Sequence, residues 1–476
     1  MMRKLVFVTV NTSRTFCRPI STSSSSRFIS DFLREEDFEK RRCLIQQKYL
    51  NQGEGNGSTR SSFDALHHSL VHSPEGIRYS MKLREDVLRV SRQLKKTSAL
   101  DGKPSTSSSS SSSTLSPSKS SWQALDDFLF RFLSSVFCRQ ALSLKRITFE
   151  TSSGNILERV ARGEAVHSVR SLSELKRRLH NGRRCFGLFH HALPDEPLAF
   201  VHIALTERLS KSIKDIDQAA ELNEPTCAMF YSVNSPHSSL SGLDLAEAVI
   251  KRAAAELQMQ HPTLKIFSTL SPIPGFLKWF EECVKSESLK LPAVHLSSLQ
   301  RAYLISKENE AGNDISDVTS SSQSTQHLLS WLLELLIHPV PLWTLNEQLM
   351  EVIREPLVYL TAEYLVRAKI KNLPRDPVAR FHLRNGAVLY NVNWFGNPSR
   401  SGFMASAGLM TNYLYTLNEV NVSEISNDYR QIVDLKGNDL SVDLSTVEKR
   451  KEYFKSSGGD IIMSRRVRDI ISPPLS

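Results

Sequence analysis

Residues 228–276 read AMFYSVNSPHSSLSGLDLAEAVIKRAAAELQMQHPTLKIFSTLSPIPGF. Ala228 to Val233 is a short apolar run of strand length. After a polar turn, Leu243, Ala246, Val249, Ile250, Ala253 and Leu257 fall on one helical face. Lys265 to Leu270 is a second strand-length run. Strand, turn, helix and strand in this order predict a parallel crossover unit. Upstream, Leu198 to Thr206 alternates as a strand, and Gly386 to Trp394 reads as a late one.

Outward from this unit the pattern changes. From Asp31 to about Ala161 it is helical: Leu83, Val87, Val90 and Leu94 repeat at helical spacing, as do Leu125, Phe128, Leu129, Phe132 and Val136. The reading divides the chain into a leader (1–30), a helical domain (31–161), a domain of mixed strands and helices (162–425) and a charged, partly ordered C-terminal tail (426–476). Within the helical part, Pro104 to Ser121 is serine-rich and has too little apolar surface to bury, so it is expected to be a disordered insertion. Glu308 to Gln326 is expected to be a surface loop. Leu328 to Ile337 is too short for a membrane span and carries Glu334, so it reads as a buried helix.

The net charge is +10. Much of the excess sits in the first 30 residues, where Arg3, Lys4, Arg14, Arg18 and Arg27 precede the first acid, Asp31. A basic, serine-rich, acid-free start with an apolar patch is the composition of a mitochondrial transit peptide. The body is only mildly basic, which suits anionic small ligands, and nothing in it resembles a nucleic-acid-binding motif. The 6 cysteines form no CxxC pair, so they are expected to be reduced thiols, with no metal site. His190, His191 and His202 do not match a metal-binding spacing.

Four segments carry chemistry. Ser241-Gly242-Leu243-Asp244 reads as a capping-box start to the helix; the residues leave simple capping and pyrophosphate binding both open. In Ser271-Pro272-Ile273-Pro274-Gly275-Phe276, two prolines stiffen the chain as it leaves a strand. Ser271 is then either an aimed functional serine or the cap of the next helix. His382, in Phe381-His382-Leu383-Arg384-Asn385-Gly386, is the best general-acid candidate by its ordinary titration range. Gly408 to Tyr415 reads as helical.

Together these segments resemble the malonyl-CoA decarboxylase family, over about residues 31–420. The resemblance rests on Phe267 to Phe276, on Phe381 to Leu389 and on Gly408 to Tyr413. Arg183-Arg184-Cys185, Glu196-Pro197-Leu198, His67-His68 and Glu164-Ala165-Val166-His167 extend it. It implies an α+β chain, in which a helical N-terminal domain is followed by a catalytic domain of the N-acetyltransferase superfold. It implies malonyl-CoA as substrate, acetyl-CoA and carbon dioxide as products, no cofactor and no metal, and a homotetramer acting in fatty acid metabolism. The mitochondrial matrix is the expected location, ahead of peroxisome or cytoplasm. By the same resemblance Ser271 and His382 are catalytic. Ser232, Asp244 and Tyr415 fall at other positions of the substrate site, with Asp244 and Tyr415 orienting the catalytic groups, and Ser241, Gly242, Leu243, Asp244, Leu245, Ala246 and Glu247 contact CoA. The chain departs from the family in having Asp244 in place of the usual Glu, and His237 to Gly242 lacks the usual Gln and first Gly of the phosphate motif. The competing readings are an acyl-CoA-dependent N-acetyltransferase on the same superfold and a non-catalytic CoA-binding scaffold.

Overall fold

The computed structural model describes residues 22–50, 58–100, 119–180, 182–311, 323–415, 432–433, 436, 438 and 446–472. They fall into two compact units. One comprises the chain up to Ala141 together with His237–Leu243; the other comprises Leu142–Pro236 and Asp244 onward.

The first unit is helical: Thr22–Arg34, Phe38–Ile45, Ser58–His72, Gly76–Leu100 and Lys119–Val136. Its core joins Ile29, Phe32, Leu66, Leu83, Val87, Val90, Leu125, Leu129 and Leu133, all buried. The helical spacing read from the sequence thus marks the buried stripe. A buried pair, Arg41 on Asp86 at 2.7 and 2.9 Å, ties two of the helices together. Two boundaries differ from the sequence reading. The helix from Thr22 overlaps the expected leader, and its Ile29 and Phe32 are core residues of this unit. Lys119, Ser120 and Ser121 open a helix and so do not belong to the expected insertion. The rest of the insertion, residues 104–118, and the start of the leader, residues 1–21, lie outside the described residues.

The second unit is built on a mixed sheet in the order β1-β2-β3-β4-β5-β10-β9-β12-β11, with β6 on β10. The strands are β1 Leu142–Ile147, β2 Arg183–His190, β3 Ala199–Thr206, β4 Cys227–Asn234, β5 Ile266–Thr269, β6 Ser271–Pro272, β7 Lys369–Ile370, β8 Leu373–Pro374, β9 Val388–Asn393, β10 Met410–Tyr415, β11 Ile432–Val433 and β12 Met463–Ser464. β7 and β8 form a small separate hairpin. β4 and β5 are parallel and flank the crossover helix Leu245–Gln260, as the quoted stretch predicts. β1 to β4 are antiparallel neighbours, and β10 returns antiparallel to β5. Helices followed by this mixed sheet make the α+β architecture that the resemblance implied.

Three sequence expectations need correcting here. β1 and the helix Gly154–Gly163 belong to the sheet unit, which moves the boundary from 161 to 141. The physical reason is packing: Ile147 and Val160 share one core with Leu175, Leu179, Cys185, Phe189 and Phe200. Within the segment 408–415, read as helical, Met410–Tyr415 is a strand: it pairs with β5, β6 and β9 and is buried throughout. Within the expected tail, β12 pairs parallel with β9 at Met463–Leu389, and the buried Val467 and Ile471 lie on the helix Arg465–Ile471. Of the expected loop 308–326, residues 308–311 end one helix and 325–326 start the next, while 312–322 are not described. Leu328 to Ile337 lies in the buried-faced helix Thr325–Ile337. Among the described residues, no helix is long and apolar enough to cross a membrane.

Candidate active site

Ser271 sits where β5 hands over to β6. β6 pairs with β10 through Ser271–Thr411 and Pro272–Met410, which holds Ser271 to the sheet, while Pro272 and Pro274 stiffen the chain as it leaves. Gly275 is required by close approach: a Cβ there would lie 2.0 Å from the Tyr364 hydroxyl. His382 is carried by the helix Pro377–Arg384. Asp376 caps that helix, accepting from the amides of Val378 and Ala379 at 2.9 and 2.8 Å. Gly386, at φ 80°, ends it.

These elements bring the serine and the histidine together. Ser271 Oγ lies 3.2 Å from His382 Nε2. His382 Nδ1 lies 2.9 Å from the Tyr415 hydroxyl. Tyr413 stacks on the imidazole at 4.5 Å between centroids. Because side chains two apart on a strand share a face, β10 delivers both tyrosines to one histidine. Thr269 completes the set: its hydroxyl accepts from Ser271 Oγ at 2.9 Å and from the Tyr413 amide at 3.2 Å. Asn412 fixes Thr269 in turn, donating to its carbonyl at 2.8 Å.

Burial sets the charge of this group. His382 is 4% exposed, and desolvation lowers its pKa to about 3. The imidazole is therefore neutral at neutral pH, which corrects the expectation of ordinary titration. Burial likewise holds the Tyr415 and Tyr413 phenols well above their usual value, so both stay protonated.

Ser271 and His382 line a cleft of about 310 Å³. Phe230, Tyr231, Pro272, Val378 and Phe381 make most of it apolar; Thr269, Ser232 and Ala246 also line it. Ser232 belongs to a different cluster from Ser271. Its hydroxyl donates to Glu164 at 2.7 Å, and Asn234 donates to both groups.

The residues expected to contact CoA divide between the units. Ser241, Gly242 and Leu243 are described with the helical unit. There Arg84 donates to the carbonyls of Ser239 and Ser241 at 2.5 and 3.2 Å, and Gly242 has φ 90°. Asp244, Leu245, Ala246 and Glu247 are in the sheet unit. The expected capping box is absent: Asp244 is itself the N-cap, at φ 50°, with no side-chain bond to the helix. Its carboxylate instead meets Arg384 at 3.3 Å. Leu245 is buried, and Glu247 pairs with Lys251 and Lys451. The uncapped start leaves backbone amides of a 16-residue helix without a side-chain acceptor.

Sequence reading missed Thr269, Glu164, Asn234 and Arg384. Arg384 stands in the quoted His382 segment, two residues on, but on a helix that spacing turns it to a different face from His382, so no spacing rule singled it out. Among the described residues, no group of three or more His, Cys, Asp or Glu could hold a metal ion, and Cys43, Cys138, Cys185, Cys227 and Cys283 are free thiols.

Comparison with known proteins places the chain. The family model for the malonyl-CoA decarboxylase C-terminal domain matches residues 140–430. The chain is 37% identical over 297 residues to the mitochondrial malonyl-CoA decarboxylase of the goose Anser anser anser, covering 61% of this chain and 55% of that protein. It is 35% identical over 310 residues to the mitochondrial enzyme of Rattus norvegicus, covering 63% and 59%. The matches thus span little more than half the length of these relatives. The crystal structure of malonyl-CoA decarboxylase from Agrobacterium vitis superposes with a TM-score of 0.66, covering 95% of this chain and 96% of that one, at 22% identity. The fold is shared over nearly the whole chain, the family match includes Ser271 and His382, and the chain belongs to the malonyl-CoA decarboxylase family.

Proposed function

We propose that this protein decarboxylates malonyl-CoA to acetyl-CoA and carbon dioxide, with Ser271 and His382 as catalytic residues. The observation that carries the reading is the buried relay from Tyr415 through His382 to Ser271 in the wall of an apolar cleft. Malonyl-CoA needs no external electron sink, because loss of carbon dioxide leaves a thioester enolate. The protein must hold the carboxylate, stabilise the enolate oxygen and return a proton to carbon.

The relay suits these tasks. Tyr415 donates to Nδ1, which leaves the proton of the neutral imidazole on Nε2, facing Ser271 Oγ. When substrate enters, Ser271 turns its hydroxyl from Thr269 to the malonyl carboxylate, and the enolate carbon takes the Nε2 proton of the His382 imidazolium, which returns to the neutral ring. A substrate carboxylate entering this dry site also raises the His382 pKa, since an opposite charge at close range favours the imidazolium. The histidine is thereby readied for proton transfer only when substrate is bound. An apolar wall favours loss of the charged carboxylate as neutral carbon dioxide.

For CoA itself, the uncapped start of the helix Leu245–Gln260 supports phosphate binding through backbone amides. Arg384, 59% exposed beside Asp244, adds a cation there. Asp244 would then orient Arg384 toward the ligand. Ser241, Gly242 and Leu243 precede this helix start in sequence and are assigned to the same CoA-contacting stretch. A homotetramer assembled through the helical unit, action in the mitochondrial matrix and a targeting role for residues 1–21 complete the proposal. The relatives' mitochondrial names and the acid-free start of the chain support the location.

Incubating the purified chain with malonyl-CoA tests the reading. Acetyl-CoA and carbon dioxide should form in equal amounts. Acetyl transfer from added acetyl-CoA to an amine, with no carbon dioxide released from malonyl-CoA, would replace it with the N-acetyltransferase reading, and acetyl-CoA binding without either turnover would replace it with the scaffold reading.

A further inference from the structure

Glu164 carries a buried carboxylate that the relay does not use. Its side chain is inaccessible to solvent, yet four donors converge on it. The amides of Val166 and His167 reach Oε1 at 2.9 Å each. The Ser232 hydroxyl lies 2.7 Å from either oxygen, and Asn234 Nδ2 lies 3.0 Å from Oε2. Despite the opposing effect of burial, these donors and the neighbouring His202 hold Glu164 below the usual carboxylate range. His202 itself is buried and pushed down to about 4 by desolvation.

The hydrogen bonds fix the polarity of Ser232. Asn234 Oδ1 accepts from the Ala165 amide at 3.0 Å, which turns its Nδ2 toward Ser232, 2.8 Å away. The single proton of Ser232 is committed to Glu164, and one of its two lone pairs is committed to Asn234. One lone pair remains on a residue that lines the cleft. Ser232 can therefore accept a hydrogen bond from a ligand and cannot donate one. The malonyl thioester end of malonyl-CoA has oxygens and no N–H. The pantetheine arm has two amide N–H groups.

We propose that Glu164 is a positioning residue that locks Ser232 as a hydrogen-bond acceptor, and that Ser232 takes an amide N–H of the pantetheine arm rather than an oxygen of the malonyl group. This rests on the CoA-thioester reading above. The two serines of the cleft then divide the substrate: Ser271 serves the reacting end, and Ser232 measures the arm behind it. Glu164→Gln reverses the polarity at constant volume. The Gln oxygen stays with the amides of Val166 and His167, its NH₂ group donates to Ser232 and no longer accepts from Asn234, and the Ser232 proton swings into the cleft.

The test uses the full chain, with folding checked by circular dichroism and melting. Ser232→Ala and Glu164→Gln should each raise the acetyl-CoA Kd and the malonyl-CoA KM about tenfold, the scale of one hydrogen bond. kcat should fall by no more than about threefold. The double variant should bind no more weakly than the weaker single one, since both changes act through one group. Unchanged affinity in folded Ser232→Ala, a loss confined to kcat, or multiplying effects in the double variant would overturn the proposal. If Glu164→Gln does not fold, a ligand-side measurement decides. Methylating the amide nitrogens of S-acetyl-pantetheine should weaken binding about tenfold more in wild type than in Ser232→Ala; equal penalties would overturn the proposal. A wild-type chain that binds no acetyl-CoA would instead sink the CoA reading itself.

Discussion

At the scale of single residues, the proposed chemistry depends on which nitrogen of His382 carries the proton. Burial keeps the imidazole neutral, so its two nitrogens have opposite roles, and the partner of one decides the role of the other. Tyr415 is that partner at Nδ1. Tyr415→Phe keeps the ring that faces the imidazole and removes only the hydroxyl. The tautomer is then unselected, and kcat should fall roughly tenfold, the worth of one hydrogen bond, while acetyl-CoA affinity holds. Steady-state kinetics with calorimetry on the same preparation checks this; full turnover in Tyr415→Phe would remove Tyr415 from the relay. Much of this residue set was legible in the sequence. Ser271 and His382 stand in segments that resemble the family, and the structure brings them within hydrogen-bond distance. Their charge state was not legible, because it depends on which residues from distant segments exclude water. Glu164 was quoted within a family segment, but its partner Ser232 lies 68 positions away, and no spacing rule connects them.

At the scale of elements, the stiff turn from Ser271 to Phe276 and the strand β10 hold the relay in register. β10 was misread as a helix because Leu409 and Tyr413 are four apart, a spacing that suits a helical face. A buried strand shows little alternation of polarity, so period gives no warning there. The same burial puts Tyr413 and Tyr415 on one face toward His382. A register shift between Asn412 and Tyr413 marks a bulge on this strand, the kind of irregularity that re-aims side chains next to sites. The turn itself depends on Gly275. In Gly275→Ala the new methyl meets the Tyr364 hydroxyl, which donates to Asp376 at 3.3 Å. Asp376 also caps the helix that carries His382. Overpacking of this kind costs about 1–3 kcal/mol, so the melting temperature should drop by several degrees and kcat should fall with it. A Gly275→Ala chain with unchanged melting and turnover would show that the turn has slack.

At the scale of the whole molecule, the crossover unit quoted first fixed the sheet. The placement of β1 escaped the reading because Leu142–Ile147 buries only its two ends, in a strand whose other positions are polar or charged apart from Leu144. One global property follows from the buried histidines. His382 and His202 have folded pKa values lowered to about 3 and about 4, against about 6.5 unfolded. Below 6.5 the unfolded chain takes up protons that the folded chain refuses. The stability these groups contribute is therefore complete above about pH 6.5 and is lost as pH falls toward their folded values. At pH 5 the loss is roughly 2 kcal/mol for each. Melting temperature should decline from pH 7 to pH 5, and His382→Asn should decline less steeply. A flat wild-type profile over that window would mean that the imidazoles are hydrated.

The most direct test of the central claim is carbon dioxide release from carboxyl-labelled malonyl-CoA at saturating substrate by wild type and His382→Asn, with acetyl-CoA affinity measured on the same samples. The substitution keeps a polar side chain and removes the titratable donor. General acid catalysis by a positioned group contributes about 10²–10⁴-fold. The account predicts a loss of that order in turnover, with acetyl-CoA affinity within about threefold of wild type. A folded, CoA-binding His382→Asn chain that releases carbon dioxide at nearly the wild-type rate would contradict it.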